Sequence, residues 1–299
     1  MSAIEAELAV ASAEGETPVR RIVRRFRRNR PAMCGLVFLL LLVMSALAAP
    51  WIAGKTPDAT DPFNQGAGPS TAHWLGTDSN GRDAFARVVF GTRISLLVCV
   101  LVVIIAMVIA LPLGLIAGYF GGVADYVISR ITDAMFTFPT ITLALIVSVI
   151  FSKGIFSASI AIGVTFVPGF VRLVRAQVLA VREETYVEAA RSVGVSDARM
   201  LRKHIFPNAV TPLLVQIALS FGYALLAEAG LSFLGFGVQQ PTSSWGTMLQ
   251  DAYTAMPGKT WPVIPPGVAL ALTVLAINLV ADGLRDSLGR EAFAVGMTE

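Results

Sequence analysis

The sequence is poor in the residues that usually carry chemistry. Its 299 residues include two cysteines and two histidines, and charged residues make up 14%. Cys34 opens one apolar run and Cys99 lies inside another, which argues against a disulfide framework or a cysteine metal site. Neither H-E-x-x-H nor G-x-S-x-G occurs, so zinc-protease and serine-hydrolase activities are rejected. Residues 76–83 have the glycine spacing of a phosphate loop, but Arg82 stands where lysine belongs and Asp83 where a magnesium-binding hydroxyl belongs. An anionic side chain there repels phosphate. The chain is therefore read as not an enzyme, with no cofactor of its own. Soluble globular chains carry about 25% charged residues. A charged share of 14%, beside 55% hydrophobic residues and a mean hydropathy of +0.69, argues against that class.

What the sequence does have is long apolar runs. Residues 36–52, 94–116, 135–151, 155–171, 213–236 and 263–280 are nearly charge-free. Each approaches the roughly 20 residues that cross about 30 Å of hydrocarbon. The reading is an all-α polytopic membrane protein with six transmembrane helices. Basic residues are retained on the cytoplasmic side, and with the N-terminus inside, 17 of the 23 Lys and Arg fall inside. Seven of these, Arg20 to Arg30, precede the first span, and seven more lie between Arg172 and Lys203. N-in, C-in topology follows. The arginines, apolar run and Ala46-Leu47-Ala48 imitate a cleavable signal peptide, but the basic region is too long and the apolar run is close to a full span.

The expected organisation is a cytoplasmic tail at 1–33, a first span at 34–53, an outer loop at 54–91, a five-helix core at 92–289 and a tail at 290–299. Residues 1 to about 19 are small, acidic and polar and read as disordered. The outer loop is expected to be irregular, with one interfacial helix over 82–90. A second outer loop, 237–262, carries Trp245, Tyr253 and Trp261, whose amphipathic rings suit the headgroup level. His73 falls outside and His204 inside, so the two cannot share a metal.

The inner loop, 172–211, has two short helical patterns. Thr185 followed by Glu188 reads as a capping box, and Gly194 ends that helix by accepting a left-handed backbone. Ser196 caps the next helix, and Pro207 closes it. A DNA-binding helix-turn-helix is disfavoured because both ends run straight into spans, leaving no room to dock in a groove, and nucleic acid is not expected as a partner. A solvated connector is the competing reading.

Glu188, Ala189, Ala190 and Gly194, with Phe206 and Pro207 beyond, resemble the E-A-A loop of bacterial ABC-importer permeases. Phe206 stands where that family has leucine and His204 where it has isoleucine. Two outer segments carry a closer resemblance, to the C-type permease subunit of dipeptide and oligopeptide importers. One contains Gly76, Thr77, Asp78, Gly81, Arg82 and Asp83; the other runs from Glu228 through Gly237 to Ser244, Trp245 and Gly246. The resemblance covers residues 31–289 and implies a type I importer permease fold in the bacterial inner membrane. It also implies a paralogous B-type permease, one or two cytoplasmic ATPases that bind the ATP and magnesium, an external substrate-binding protein, and a peptide substrate. Glu188, Ala189, Ala190, Gly194, Phe206 and Pro207 would then contact the ATPase.

Nickel importers use similar permeases, and a secondary transporter or channel is the alternative from another class. Such proteins place carboxylates near the midplane, whereas Asp133 and Asp282 lie toward the cytoplasmic ends. Glu228 lies about 24 Å beyond Pro212 at 1.5 Å per residue, near the outer end of its helix. Glu228 and Ser232 are therefore candidates for a gate at the outer end of the pathway, with a satisfied helix-end carboxylate as the competing reading.

Overall fold

The structure, a computed structural model, describes residues 18–151, 153–255 and 260–295. The expected disordered tail lies almost wholly outside these residues. Among the described residues the chain is helical, with a single isolated bridge between Thr77 and Asp83 and no strand. Twelve α-helices follow in order: α1 (Pro18–Arg28), α2 (Arg30–Leu47), α3 (Ala49–Ile52), α4 (Ala84–Phe120), α5 (Gly122–Phe136), α6 (Thr140–Ile150), α7 (Ile155–Arg182), α8 (Thr185–Ser192), α9 (Asp197–Met200), α10 (Phe206–Phe233), α11 (Trp245–Ala255) and α12 (Ile264–Val295). A π turn (Leu201–Ile205) joins α9 to α10, and a 3-10 turn (Trp261–Val263) precedes α12.

Among the described residues five helices are long and apolar enough to span a bilayer, six when the bent pair α5 and α6 is counted as one broken span. That pair corrects the third expected span. The run at 135–151 is not one helix: α5 and α6 meet at 100° across Thr137, Phe138 and Pro139. Pro139 has no amide to give the ladder and bars its predecessor from helical geometry, so the chain must turn there. Polar α5 was not expected as a helix. It is held by ion pairs to α7, Asp125 with Arg175 and Asp133 with Arg172 (2.7 Å).

The expected interfacial helix at 82–90 and the second span are one element. Asp83 caps α4 by accepting the Ala86 amide at 2.9 Å, and nothing breaks the next 37 residues. Pro112 is accommodated within the run. The helix is about 55 Å long at 1.5 Å per residue. Arg93 reaches back to the carbonyls of Ala46 and Leu47, two of the groups left unpaired where α2 ends.

The seam between α4 and α7 is closely packed. A Cβ built on Gly114 would fall 2.5 Å from the Val174 Cβ, and one on Gly118 2.7 Å from the Val178 Cβ. Small residues let membrane helices approach until backbones nearly touch. On the other side, α2 packs on α12 through Gly35, which lies against the Ala276 carbonyl and Leu279. The outer loop and α11 sit at the start of α4, and α8 and α9 sit at its far end.

The topology has a direct check. Ser244 is fully buried and cannot report sidedness, whereas Thr60 in the outer loop and Ser192 in the inner loop are exposed. With Cys34 and Cys99 replaced, Thr60→Cys is expected to react with an impermeant thiol reagent in intact cells. Ser192→Cys is expected to react only after the membrane is opened. The opposite pattern would invert the assignment.

Candidate functional site

Two groups of residues singled out in the sequence come together at opposite ends of α4. The outer one is a buried charge hub. Gly76 and Gly81 turn the chain at φ +73° and +75°, values glycine adopts without steric cost. Between them Thr77 accepts the Ala67 amide at 2.9 Å. Asp78 accepts the Arg82 amide (2.9 Å) and Nε (2.7 Å), and also pairs with Arg87 Nη1. Asp251 on α11 accepts from Arg82 Nη2 at 3.1 Å and Arg87 Nη1 at 3.3 Å. Gln240 bridges Arg82 and Asp251.

Two guanidiniums thus share two carboxylates out of water. Burial favours the neutral acid at Asp78, but the Arg82 amide and the Arg87 and Arg82 guanidiniums outweigh it and hold the carboxyl below its ordinary range. At Asp251 burial prevails over the same two arginines, and the carboxyl lies above its ordinary range. Arg87 is fully buried, and its Nε and Nη2 have no hydrogen-bond partner among the described residues. It depends on the two carboxylates at Nη1. Nearby, His73 Nδ1 lies 2.8 Å from Asp83, which also caps α4.

A second polar cluster fastens α10 and α11 to α4. Glu228 accepts from Ser232 at 2.8 Å and from Ser95 at 3.3 Å. Ser95 in turn accepts the Trp245 amide at 3.2 Å, and Ser232 accepts the Val238 amide at 3.1 Å. Ser244 and Thr247 exchange hydrogen bonds at the start of α11. Gly246 lies so close under α10 that a Cβ would fall 2.7 Å from the Ala229 carbonyl. Glu228 and Ser232 have no solvent exposure. The anchoring role expected for the tryptophans is corrected for Trp245. Its ring is fully buried and donates to the Val88 carbonyl at 3.1 Å, while Trp261 donates to the Leu75 carbonyl at 3.0 Å. The Trp245 indole N–H, satisfied by a carbonyl of α4, holds that ring inside the fold.

The inner group is the two-helix loop. Thr185 does not cap α8: the cap position is Glu184, and no side-chain cap bond forms, so the expected capping box is absent. The other end closes as the glycine predicts. Gly194 sits at φ +79°, its amide bonds the Arg191 carbonyl at 3.0 Å, and the Val195 amide bonds the Ala190 carbonyl at 3.2 Å. This is the Schellman pattern. Ser196 is the cap residue of α9 but bonds only through its backbone. Pro207 does not end the second helix. The chain widens into the π turn ahead of it, which absorbs the proline ring and missing donor, and continues as α10.

Val187, Met200 and Ile205 bury one side of the loop against Tyr119, Val174 and Val178 at the ends of α4 and α7. Ala190, expected on the outer face, packs partly toward that cluster. Glu188, Ala189 and Val193 are exposed, Val193 to 80%. Phe206 is half-buried and Pro207 exposed. Tyr119 donates to Asp197, Asn208 donates to Tyr186 at 2.9 Å, and Arg182 reaches the Gly118 and Tyr119 carbonyls at 3.3 Å. The sequence reading missed Asp251, Ser95, Val193 and the tie from Tyr119 to Asp197. Asp251 had a signal: it and Lys259 are the only charged residues between Ala229 and Ala281.

A multi-pass helical bundle with an outer ion-pair hub and an inner two-helix loop, both fixed to one long helix, defines a membrane permease subunit. A model of the family described as binding-protein-dependent transport system inner membrane component matches residues 110–293, and one for the N-terminal TM domain of oligopeptide transport permease C matches residues 17–69. The chain belongs to the binding-protein-dependent transport system inner membrane component family, as a multi-pass inner-membrane permease of an ABC importer.

It is 41% identical to the dipeptide transport system permease protein DppC of Alkalihalophilus pseudofirmus over 272 residues, 91% of this chain and 90% of that one. It is 42% identical to the glutathione transport system permease protein GsiD of an Escherichia coli strain over 290 residues, 96% and 95% of the two chains. Its fold is similar to that of the MetNI methionine ABC transporter in an inward-facing conformation. The TM-score is 0.57 at 20% identity, covering 68% of this chain and 97% of that one.

Proposed function

We propose that this chain forms, with a paralogous B-type permease, the membrane passage of an importer for short peptides. An external binding protein delivers the peptide, and one or two cytoplasmic ATPases hold ATP and magnesium. The observation that carries the reading is identity above 40% to a dipeptide and a glutathione permease over about nine-tenths of every chain compared. The match therefore runs through both the outer hub and the inner loop. In this reading Glu188, Ala189, Val193 and Pro207 offer the ATPase an exposed face. Gly194 sets the angle of that face, while Ala190 and Phe206 seat it on the bundle. Glu228 and Ser232 act as positioning residues that hold the outer end of α10 to α4 and α11.

The test is removal of the chain from its native cell, with uptake of labelled di- and tripeptides and of nickel measured side by side. Peptide uptake is expected to fall to background with nickel uptake unchanged, and the tagged chain is expected to bring down an ABC ATPase from solubilised membranes. Peptide uptake that survives the deletion would overturn the substrate. Purification without an ATPase would overturn the assembly.

A further inference from the structure

Helix α1 belongs to neither the outer hub nor the inner loop, and it carries six arginines in eleven residues. At about 100° per residue, Val19, Ile22, Val23 and Phe26 fall within an arc of about 100°, and the arginines fill the opposite side. Phe26 is seated on α12, where a Cβ on Gly283 would fall 3.2 Å from its ring. Val19 and Val23 remain 69% and 50% exposed on the same apolar arc. One residue later, Asn29 caps α2 by accepting the Ala32 amide at 3.2 Å, so the basic helix turns directly into the first span. By the arginine bias this mouth is cytoplasmic.

Between α1 and α12 lies a cavity of about 520 Å³ lined by Arg24, Arg25, Arg28, Asn29, Asp286 and Ser287. Among the described residues, the Arg25 and Arg28 guanidiniums border it beside the Asp286 carboxylate. Asn29 lies 3.4 Å from Asp286, and Arg25 Nη1 is shielded from solvent with no hydrogen-bond partner among the described residues. A buried guanidinium nitrogen without a partner calls for an anionic acceptor.

We infer that this cavity binds the phosphate headgroup of an anionic phospholipid from the inner leaflet. A basic pocket beside a span on the cytoplasmic side has the charge and the depth for such a headgroup. Asn29 adds a neutral amide donor at its rim, held by Asp286.

The test uses the chain purified with its bound subunits and native mass spectrometry of retained lipid, with phosphatidylglycerol and phosphatidylcholine as probes. Phosphatidylglycerol is expected to be retained over phosphatidylcholine. Arg25→Gln with Arg28→Gln is expected to weaken that retention by about thirtyfold, the effect of two arginines near an anionic surface. Arg20→Gln with Arg27→Gln, an equal charge loss on the far side of the helix, is expected to leave it intact. Equal loss in both pairs would reduce the effect to diffuse charge and overturn the site, as would no loss in either. Displacement of the lipid by millimolar inorganic phosphate would make it a free-anion site and overturn the lipid assignment. Should the first pair fail to assemble, wild-type protein in nanodiscs decides. Trypsin is expected to cut within α1 freely in phosphatidylcholine and slowly with phosphatidylglycerol present, and equal cutting in both overturns the inference.

Discussion

Arg87→Met is expected to leave little folded protein in the membrane. The side chain is fully buried, and its Nη1 pairs with Asp78 and Asp251. Methionine fills much of the volume but takes away one of two positive charges from a site holding two carboxylates, with Arg82 left to serve both. Removing one partner of a buried ion pair costs about 3 to 5 kcal/mol, because the remaining charge is uncompensated out of water. That is a large part of the stability of a typical domain. The measure is the amount of full-length chain in membranes and the temperature at which detergent-extracted protein aggregates, both expected to fall sharply. Arg87→Met combined with Asp251→Leu restores one cation for one anion and is expected to recover a substantial part of the loss, the signature of coupled residues in a double-mutant cycle. Arg87→Met protein as abundant and heat-resistant as wild type would show that the hub is not what fastens the outer loop.

Gly194→Val is expected to abolish peptide uptake while the chain still inserts and accumulates. At φ +79° a β-branched residue is opposed by about 1 to 2 kcal/mol. No atom lies within 4 Å of where the Cβ would go, so the substitution acts on the backbone alone. The helix end closed by Gly194 rotates, and Ala189 and Val193 turn with it. The spans keep their own packing. Gly194→Asn, which tolerates the left-handed region, is expected to stay near wild-type uptake. The ATPase that co-purifies with the valine variant should be lost, or should hydrolyse ATP without response to substrate. Normal uptake and a normally attached ATPase would make the loop a passive connector.

Much of this architecture is legible in the sequence because hydrocarbon imposes one rule on every span. Five of the six apolar runs each hold one spanning helix, the first of them ending at Leu47, short of the end of its run. The failures have local causes. The break at Pro139 sits inside a run that carries no charge, so length and charge alone cannot show it. Helix α5 is hidden because Asp125, Arg130 and Asp133 make it look like a loop, and the partners of the two aspartates lie on α7, far off in the sequence. Pro207 was read as a stop because local chemistry says so, yet a π turn lets the helix pass it. Gly194 was read correctly since a left-handed residue after a short helix is a local property. The outer hub lies between these cases. Asp78 and Arg82 declare themselves within one segment, but Asp251 stands 169 positions from Arg82 and meets it only in the folded chain.

The seam between α4 and α7 has a mechanical meaning. With Val174 and Val178 seated over Gly114 and Gly118, neither helix can slip lengthwise against the other without driving a side chain into backbone. The two behave as one beam, with the Asp197 tie at one tip and the arginine hub at the other. Sliding is barred, and what this interface permits is tilting as a unit. On a beam about 55 Å long, a tilt of about 5° around its middle moves each tip by about 2 Å in opposite directions. A shove of side-chain size at the cytoplasmic tip is thereby matched by an equal and opposite swing beneath the outer loop.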